Sequence, residues 1–156
     1  MTPSAVGALP QLRHAFTIDA FVAPDRRIGA IDEGELIYIP ITGGRVHGDI
    51  EGEVLEGGGD WCVVKGHYCT VEARYQFRTA DGDVVDVLNT GVAHFLDDAQ
   101  LDVGYFPTRP VFRVENPALR HLVDRVYLGW ARSTPELTAI DIFEVLDPLP
   151  QAGETR

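Results

Sequence analysis

Two alternating runs separated by an Asp-Gly pair restrict this chain more than any other feature in it. Residues 70–79 and 83–92 flank Asp81-Gly82. Period-two hydrophobicity on both sides of such a dipeptide marks a tight antiparallel hairpin. In the first run Val71, Ala73, Tyr75 and Phe77 share one face, and Thr70, Glu72, Arg74, Gln76 and Arg78 share the other, because successive side chains of a strand point to opposite sides. In a two-layer sheet the second face is solvated surface. In a small barrel it can be a polar lumen. The pattern alone leaves both open.

The rest of the chain repeats the strand signal. Leu12, His14, Phe16 and Ile18 alternate with polar or small residues, and residues 35–40 form a second run closed by Pro40. Residues 24–27 and Thr42-Gly43-Gly44 read as turns, residues 45–55 as a third strand, and Gly57-Gly58-Gly59 as a flexible loop. Gly48 and Gly52 inside the third run read as devices for curvature. Further strands are expected over residues 103–106, 111–115, 126–132 and 137–146. Asn116-Pro117 begins the one helix, residues 117–125, with Asn at the N-cap and Pro at the first turn. About nine short strands and one short helix predict an all-β fold, a single antiparallel β-barrel. The barrel is expected over residues 12–147, with loose tails at 1–11 and 148–156.

Charge narrows the partners. Lys and Arg number 13 against 24 Asp and Glu, a net charge of −11, and Lys65 is the one lysine. Phosphate backbones need clustered cations, so nucleic acid is not an expected partner, and an acidic surface also disfavours anionic membranes. No apolar run reaches the roughly 20 residues of a membrane-spanning helix. The first residues lack the features of a secretory signal. A cytoplasmic protein is expected, with Cys62 and Cys69 reduced. Cys-x6-Cys is not a zinc spacing and the five histidines are scattered. Neither a metal nor an organic cofactor is expected, since dinucleotide, phosphate-loop and metal-binding motifs are missing.

Six segments occur in a fixed order: Ile41-Thr42-Gly43-Gly44, Gly58-Gly59-Asp60-Trp61, Glu72-Ala73-Arg74-Tyr75, Asp81-Gly82, Asn89-Thr90-Gly91-Val92, and Tyr105-Phe106-Pro107-Thr108-Arg109-Pro110-Val111-Phe112. Their order and spacing resemble the bacterial and fungal family known as domain of unknown function 3237, from about Phe16 to Val145. The resemblance implies a compact β-barrel-like fold and no established reaction.

Within these segments, four polar residues are the expected catalytic set. Asp60 or Glu72 serves as general acid or base, and Arg74 and Asn89 stabilise negative charge developing on oxygen. Asn89 falls nearly opposite the Arg74 strand across the hairpin. Trp61, Tyr75, Tyr105, Phe106, Arg109, Tyr127 and Trp130 are the expected substrate-binding residues. Each has a structural reading as well: Asp60 as a turn cap, Arg74 and Glu72 as a paired surface, the aromatics as core. The function expected is a small-molecule barrel enzyme, independent of cofactors. It would move protons on an oxygenated, carbonyl-bearing metabolite as an isomerase, cyclase, dehydratase or lyase. The alternatives are a lipocalin-like carrier of an apolar metabolite and a structural or oligomerisation domain. A homo-oligomer is left open.

Overall fold

The computed structural model describes residues 7–100 and 102–148; the expected tails fall largely outside that range. Eleven strands are present among the described residues: β1 (Gln11–Val22), β2 (Arg26–Ile31), β3 (Gly34–Gly48), β4 (Gly52–Val54), β5 (Gly58–Lys65), β6 (Tyr68–Thr79), β7 (Val84–Phe95), β8 (Val103–Tyr105), β9 (Pro107–Arg113), β10 (Tyr127–Ser133) and β11 (Leu137–Leu146). Eight of them close a ring in which every neighbour is antiparallel. It runs β1, β3, β5, β6, β7, β9, β10, β11 and back to β1. Closure removes the free edges that an open sheet leaves unpaired. The remaining strands extend the ring: β2 pairs with β3, β4 lies between β3 and β6 beyond the end of β5, and β8 continues the slot of β9 along β7.

Several local expectations change in the structure. Residues 26–31, the first two of them expected in a turn, form β2. Thr42-Gly43-Gly44 is not a turn but the middle of the 15-residue β3, and the expected third strand divides into the end of β3 and the short β4. The supposed glycine loop begins β5 at Gly58. The helix is shorter than expected. A 3-10 turn (Pro117–Leu119) leads to α1 (His121–Asp124), and the Asn116 side chain accepts a hydrogen bond from the Ala118 N–H at 2.9 Å, as an N-cap does. Gly48 has φ +127°, and a Cβ there would stand 2.7 Å from the Cα of Phe16. The strands β1 and β3 approach too closely at that point for any side chain, which is the curvature role.

One end of the barrel is filled. Phe16, Phe77, Phe112 and Tyr127 pack there with ring centroids 5.5 to 6.5 Å apart, mostly tilted or edge to face, among Ile18, Val46, Val85, Val87 and Ile142. Leu122 of α1 is buried against the barrel, and the Tyr127 hydroxyl donates to the carbonyl of His121. Glu144 is buried beside this end and held by Arg13 at 2.8 Å and Arg125 at 3.2 Å. The other end of the barrel is not filled.

Candidate functional site

The hairpin fixes which residues enter the lumen. The Thr79 N–H donates to the Asp83 carbonyl and the Gly82 N–H to the Thr79 carbonyl, with Gly82 at φ +97°. The loop therefore has three residues, a turn followed by a left-handed glycine, and Phe77 pairs with Val85, Tyr75 with Val87, Ala73 with Asn89 and Val71 with Gly91. Odd-numbered residues of both strands face inward. Arg74 pairs with Leu88, not with the Asn89 register.

Glu72 and Arg74 are consequently on the outer face, away from the lumen, and neither belongs to an interior site. Of the two readings that the pattern left open for the face of Glu72, Arg74 and Gln76, this register decides for solvated surface and overturns the polar lumen and the catalytic roles expected of Glu72 and Arg74. Arg74→Ala is expected to change stability by no more than about 0.5 kcal/mol, as surface substitutions without a special contact do. Urea unfolding of that variant against wild type checks it.

Above the aromatic plug lies a lumen in two parts. A deep chamber of about 50 Å³ is bounded by Ala20, Ile41, Tyr75, Asn89, Thr108 and Ile140, among others. It joins a wider chamber of about 780 Å³ that reaches the barrel mouth, walled by residues such as Ile37, Val64, Ala93, Phe95 and Val103. Asp60, Val71 and Phe106 border both.

The walls are apolar except for a few groups, and those groups are unusual. Tyr75, Asn89 and Thr108 are each at least 95% buried, with exposures of 3%, 4% and 4%. Tyr75 Oη, Asn89 Oδ1 and Thr108 Oγ1 have no hydrogen-bond partner in the protein. A buried polar atom left unpaired costs about 1–3 kcal/mol, so three around one small chamber are a feature and not noise. Thr108 is given its room by glycines on both sides: it pairs with Gly91 of β7 and Gly129 of β10. A Cβ on Gly129 would fall 2.1 Å from Thr108 Oγ1, and one on Gly91 would fall 2.5 Å from the Pro107 carbonyl oxygen.

Asp60 stands where the two chambers meet. Burial pushes its carboxyl up to about 6, and the negative charge of Glu72 adds to that. Hydrogen bonds from the Cys62 thiol and the Glu72 backbone N–H, the latter at 3.0 Å, pull the other way. Burial of Tyr75 and its proximity to Asp60 raise the phenol, which keeps its proton throughout the physiological range. Cys62 and Cys69 are buried free thiols lining the wider chamber above Asp60.

Of the residues expected from sequence, Asp60, Asn89, Tyr75 and Phe106 are brought together at the lumen. The others are not. Trp61 is 43% exposed and packs at a tilt against Tyr38 outside the barrel, with ring centroids 4.9 Å apart. Tyr105 and Trp130 also face outward, with their rings 5.5 Å apart. Arg109 is exposed on β9, and Tyr127 belongs to the plug. These five are corrected for one reason: each has the strand parity, or the end of the barrel, that faces away from the cavity. Thr108 was missed, because a lone Thr between Pro107 and Arg109 carries no signal until its glycine neighbours on other strands are known. Among the described residues no cluster of three His, Cys, Asp or Glu is arranged to hold a metal, and no helix is long and apolar enough to cross a membrane.

Fold and site together define an antiparallel β-barrel, packed solid at one end and hollow at the other, with a polar group at the bottom of an apolar lumen. The chain belongs to the family described as protein of unknown function DUF3237, whose model matches residues 10–145. A UPF0311 protein from Rhodopseudomonas palustris is 32% identical over 158 residues, 94% of this chain and 100% of that one. The crystal structure of a protein of unknown function from the same organism superposes with a TM-score of 0.85 at 32% identity, covering 90% of this chain and 100% of that chain. The crystal structure of an enzyme from Penicillium herquei superposes with a TM-score of 0.69 at 17% identity, covering 89% of this chain and 98% of that chain; this likeness is one of fold.

Proposed function

We propose that this barrel is an enzyme that moves a proton on an oxygenated, carbonyl-bearing small molecule without a cofactor: an isomerisation, cyclisation, dehydration or lyase reaction. The observation that carries the reading is the convergence of Asp60 with the unpartnered Tyr75, Asn89 and Thr108 in one chamber. A carboxyl raised to about 6 is mostly ionised at neutral pH, so it can take a proton. It also lies within about one unit of neutrality, so it can return the proton. The hydroxyls of Tyr75 and Thr108 donate to an oxygen on which charge develops, in a site shielded from water. Asn89 orients the same oxygen or its neighbour.

The fold of the Penicillium herquei protein supports the reading only in that an enzyme is built on the same barrel. The wider, mainly apolar chamber favours one other function, the carriage of an apolar metabolite without chemistry. Proton exchange separates the two. The protein is incubated in D2O with a panel of cyclic and aromatic ketones, and deuterium beside the carbonyl is followed by mass spectrometry. Incorporation that is faster than the buffer rate and falls about a hundredfold or more in Asp60→Asn, as loss of a general base does, is the expected result. Binding without any Asp60-dependent exchange across the panel would leave the carrier.

A further inference from the structure

We infer that the molecule this lumen takes in has no negative charge and presents a hydroxyl group to the deep chamber. The inference rests on the reading of the lumen as a small-molecule site; it does not need the proton-transfer step.

Charge is the first argument. Among the described residues bordering either chamber there is no Lys, Arg or His. Asp60 stands inside, and Asp25 and Glu35 stand at the mouth. Arg27 is near the mouth but is ion-paired with Glu35, and Arg74 and Arg109 point outward. A carboxylate or phosphate entering this lumen would lose its hydration, meet no cation and approach the carboxylate of Asp60. A net charge of −11 on the chain opposes its approach as well.

Hydrogen-bond inventory is the second argument. Asn89 Oδ1 only accepts, while the hydroxyls of Tyr75 and Thr108 both donate and accept. A ligand carbonyl satisfies the hydroxyls and leaves Asn89 Oδ1 unmet. An alkyl group leaves all three unmet. A ligand hydroxyl donates to Asn89 Oδ1 and accepts from both Tyr75 and Thr108, so it answers the whole set. Size gives the orientation. The deep chamber, about 50 Å³, admits a hydroxyl and the few atoms that carry it. The apolar body of the ligand then occupies the wider chamber, and the hydroxyl is the enol form of the same oxygen on which charge develops.

A matched series on one ring tests this: 2-naphthol, 2-methoxynaphthalene, 2-naphthoate and the cationic 2-(aminomethyl)naphthalene, titrated near neutral pH by calorimetry and saturation-transfer NMR. The expected order has 2-naphthol at least about tenfold tighter than its methyl ether, and no saturable binding of 2-naphthoate. Asn89→Leu should reduce the preference for the naphthol over the ether, because only the naphthol can donate to Oδ1, whereas Thr108→Val, which removes a donor that either oxygen can use, should weaken both ligands. Naphthoate binding as well as naphthol overturns the exclusion of anions. Equal affinities for naphthol and ether, or tighter binding of the amine, overturn the hydroxyl assignment. Binding of none of the four overturns the lumen as a ligand site altogether. Selective naphthol binding together with absent deuterium exchange overturns only the catalytic step.

Discussion

Asp60→Asn is expected to make the protein more stable than wild type at about pH 8 while removing the acid and base of the proposed proton transfer. The carboxyl is raised from 3.8 to about 6 in the folded state, chiefly by burial. For an acid raised on folding, the stabilising contribution is complete below the unfolded value and is lost as pH rises through the folded one. Above about pH 6 the barrel therefore carries an ionised carboxylate in an apolar wall. A shift of this size corresponds to about 3 kcal/mol, an upper bound for a side chain that is half-buried. Asparagine has the same shape and can still accept the Glu72 N–H through Oδ1, so it removes the charge without removing the hydrogen bond. Thermal unfolding of the two proteins side by side checks the sign. Tm of the variant should exceed that of wild type at about pH 8, and the two should converge at about pH 4. A difference independent of pH would mean that Asp60 is not desolvated in the folded protein, and its assignment as acid and base would fall with it.

Phe16→Ala should be among the most damaging single changes available. Phe16 is 1% exposed, and its ring meets those of Phe77, Phe112 and Tyr127 at 6.2, 5.7 and 6.5 Å. Removing it leaves a cavity that closed-barrel strands cannot collapse around, since their spacing is fixed by hydrogen bonds on both sides. The expected loss is about 3–5 kcal/mol, or a fall in Tm of roughly 6 to 20 °C for a chain of this size. In urea the midpoint should move with little change in slope. The plug is also the floor under Tyr75 and Asn89, so affinity for a bound naphthol should weaken even where the variant remains folded. A loss of less than about 1 kcal/mol would show that this end of the barrel is not the packed core described.

These two sites lie on neighbouring layers of one interior, and the contrast between them is the design of the molecule. Below, aromatic side chains fill the ring of strands. Above, the inward positions shrink to Ala20, Ala73 and Ala131 or carry a polar group. Small residues at the same strand parity as the large ones leave space that no side chain enters, and that space is the lumen.

The hairpin around Asp81-Gly82, the all-strand character of the chain and the N-cap at Asn116 were determined by the sequence itself. Period-two hydrophobicity, turn chemistry and capping are local properties and act within a few residues. The barrel could be named because many short strands require closure or a second sheet. Asp60, Tyr75, Asn89 and Phe106 could be singled out as residue types suited to a pocket. What the tertiary structure alone decided was parity. A two-residue Asp-Gly loop would set Arg74 opposite Asn89. The three-residue loop from Ala80 to Gly82 instead pairs Asn89 with Ala73, and a slip of one residue exchanges the faces of a strand. That single residue parts Asn89 from Arg74: the amide enters the lumen, the guanidinium stays outside, and the lumen has no cation. Thr108 and the glycines Gly91 and Gly129 were likewise beyond local reading. They lie on three different strands, and they meet only because the ring closes.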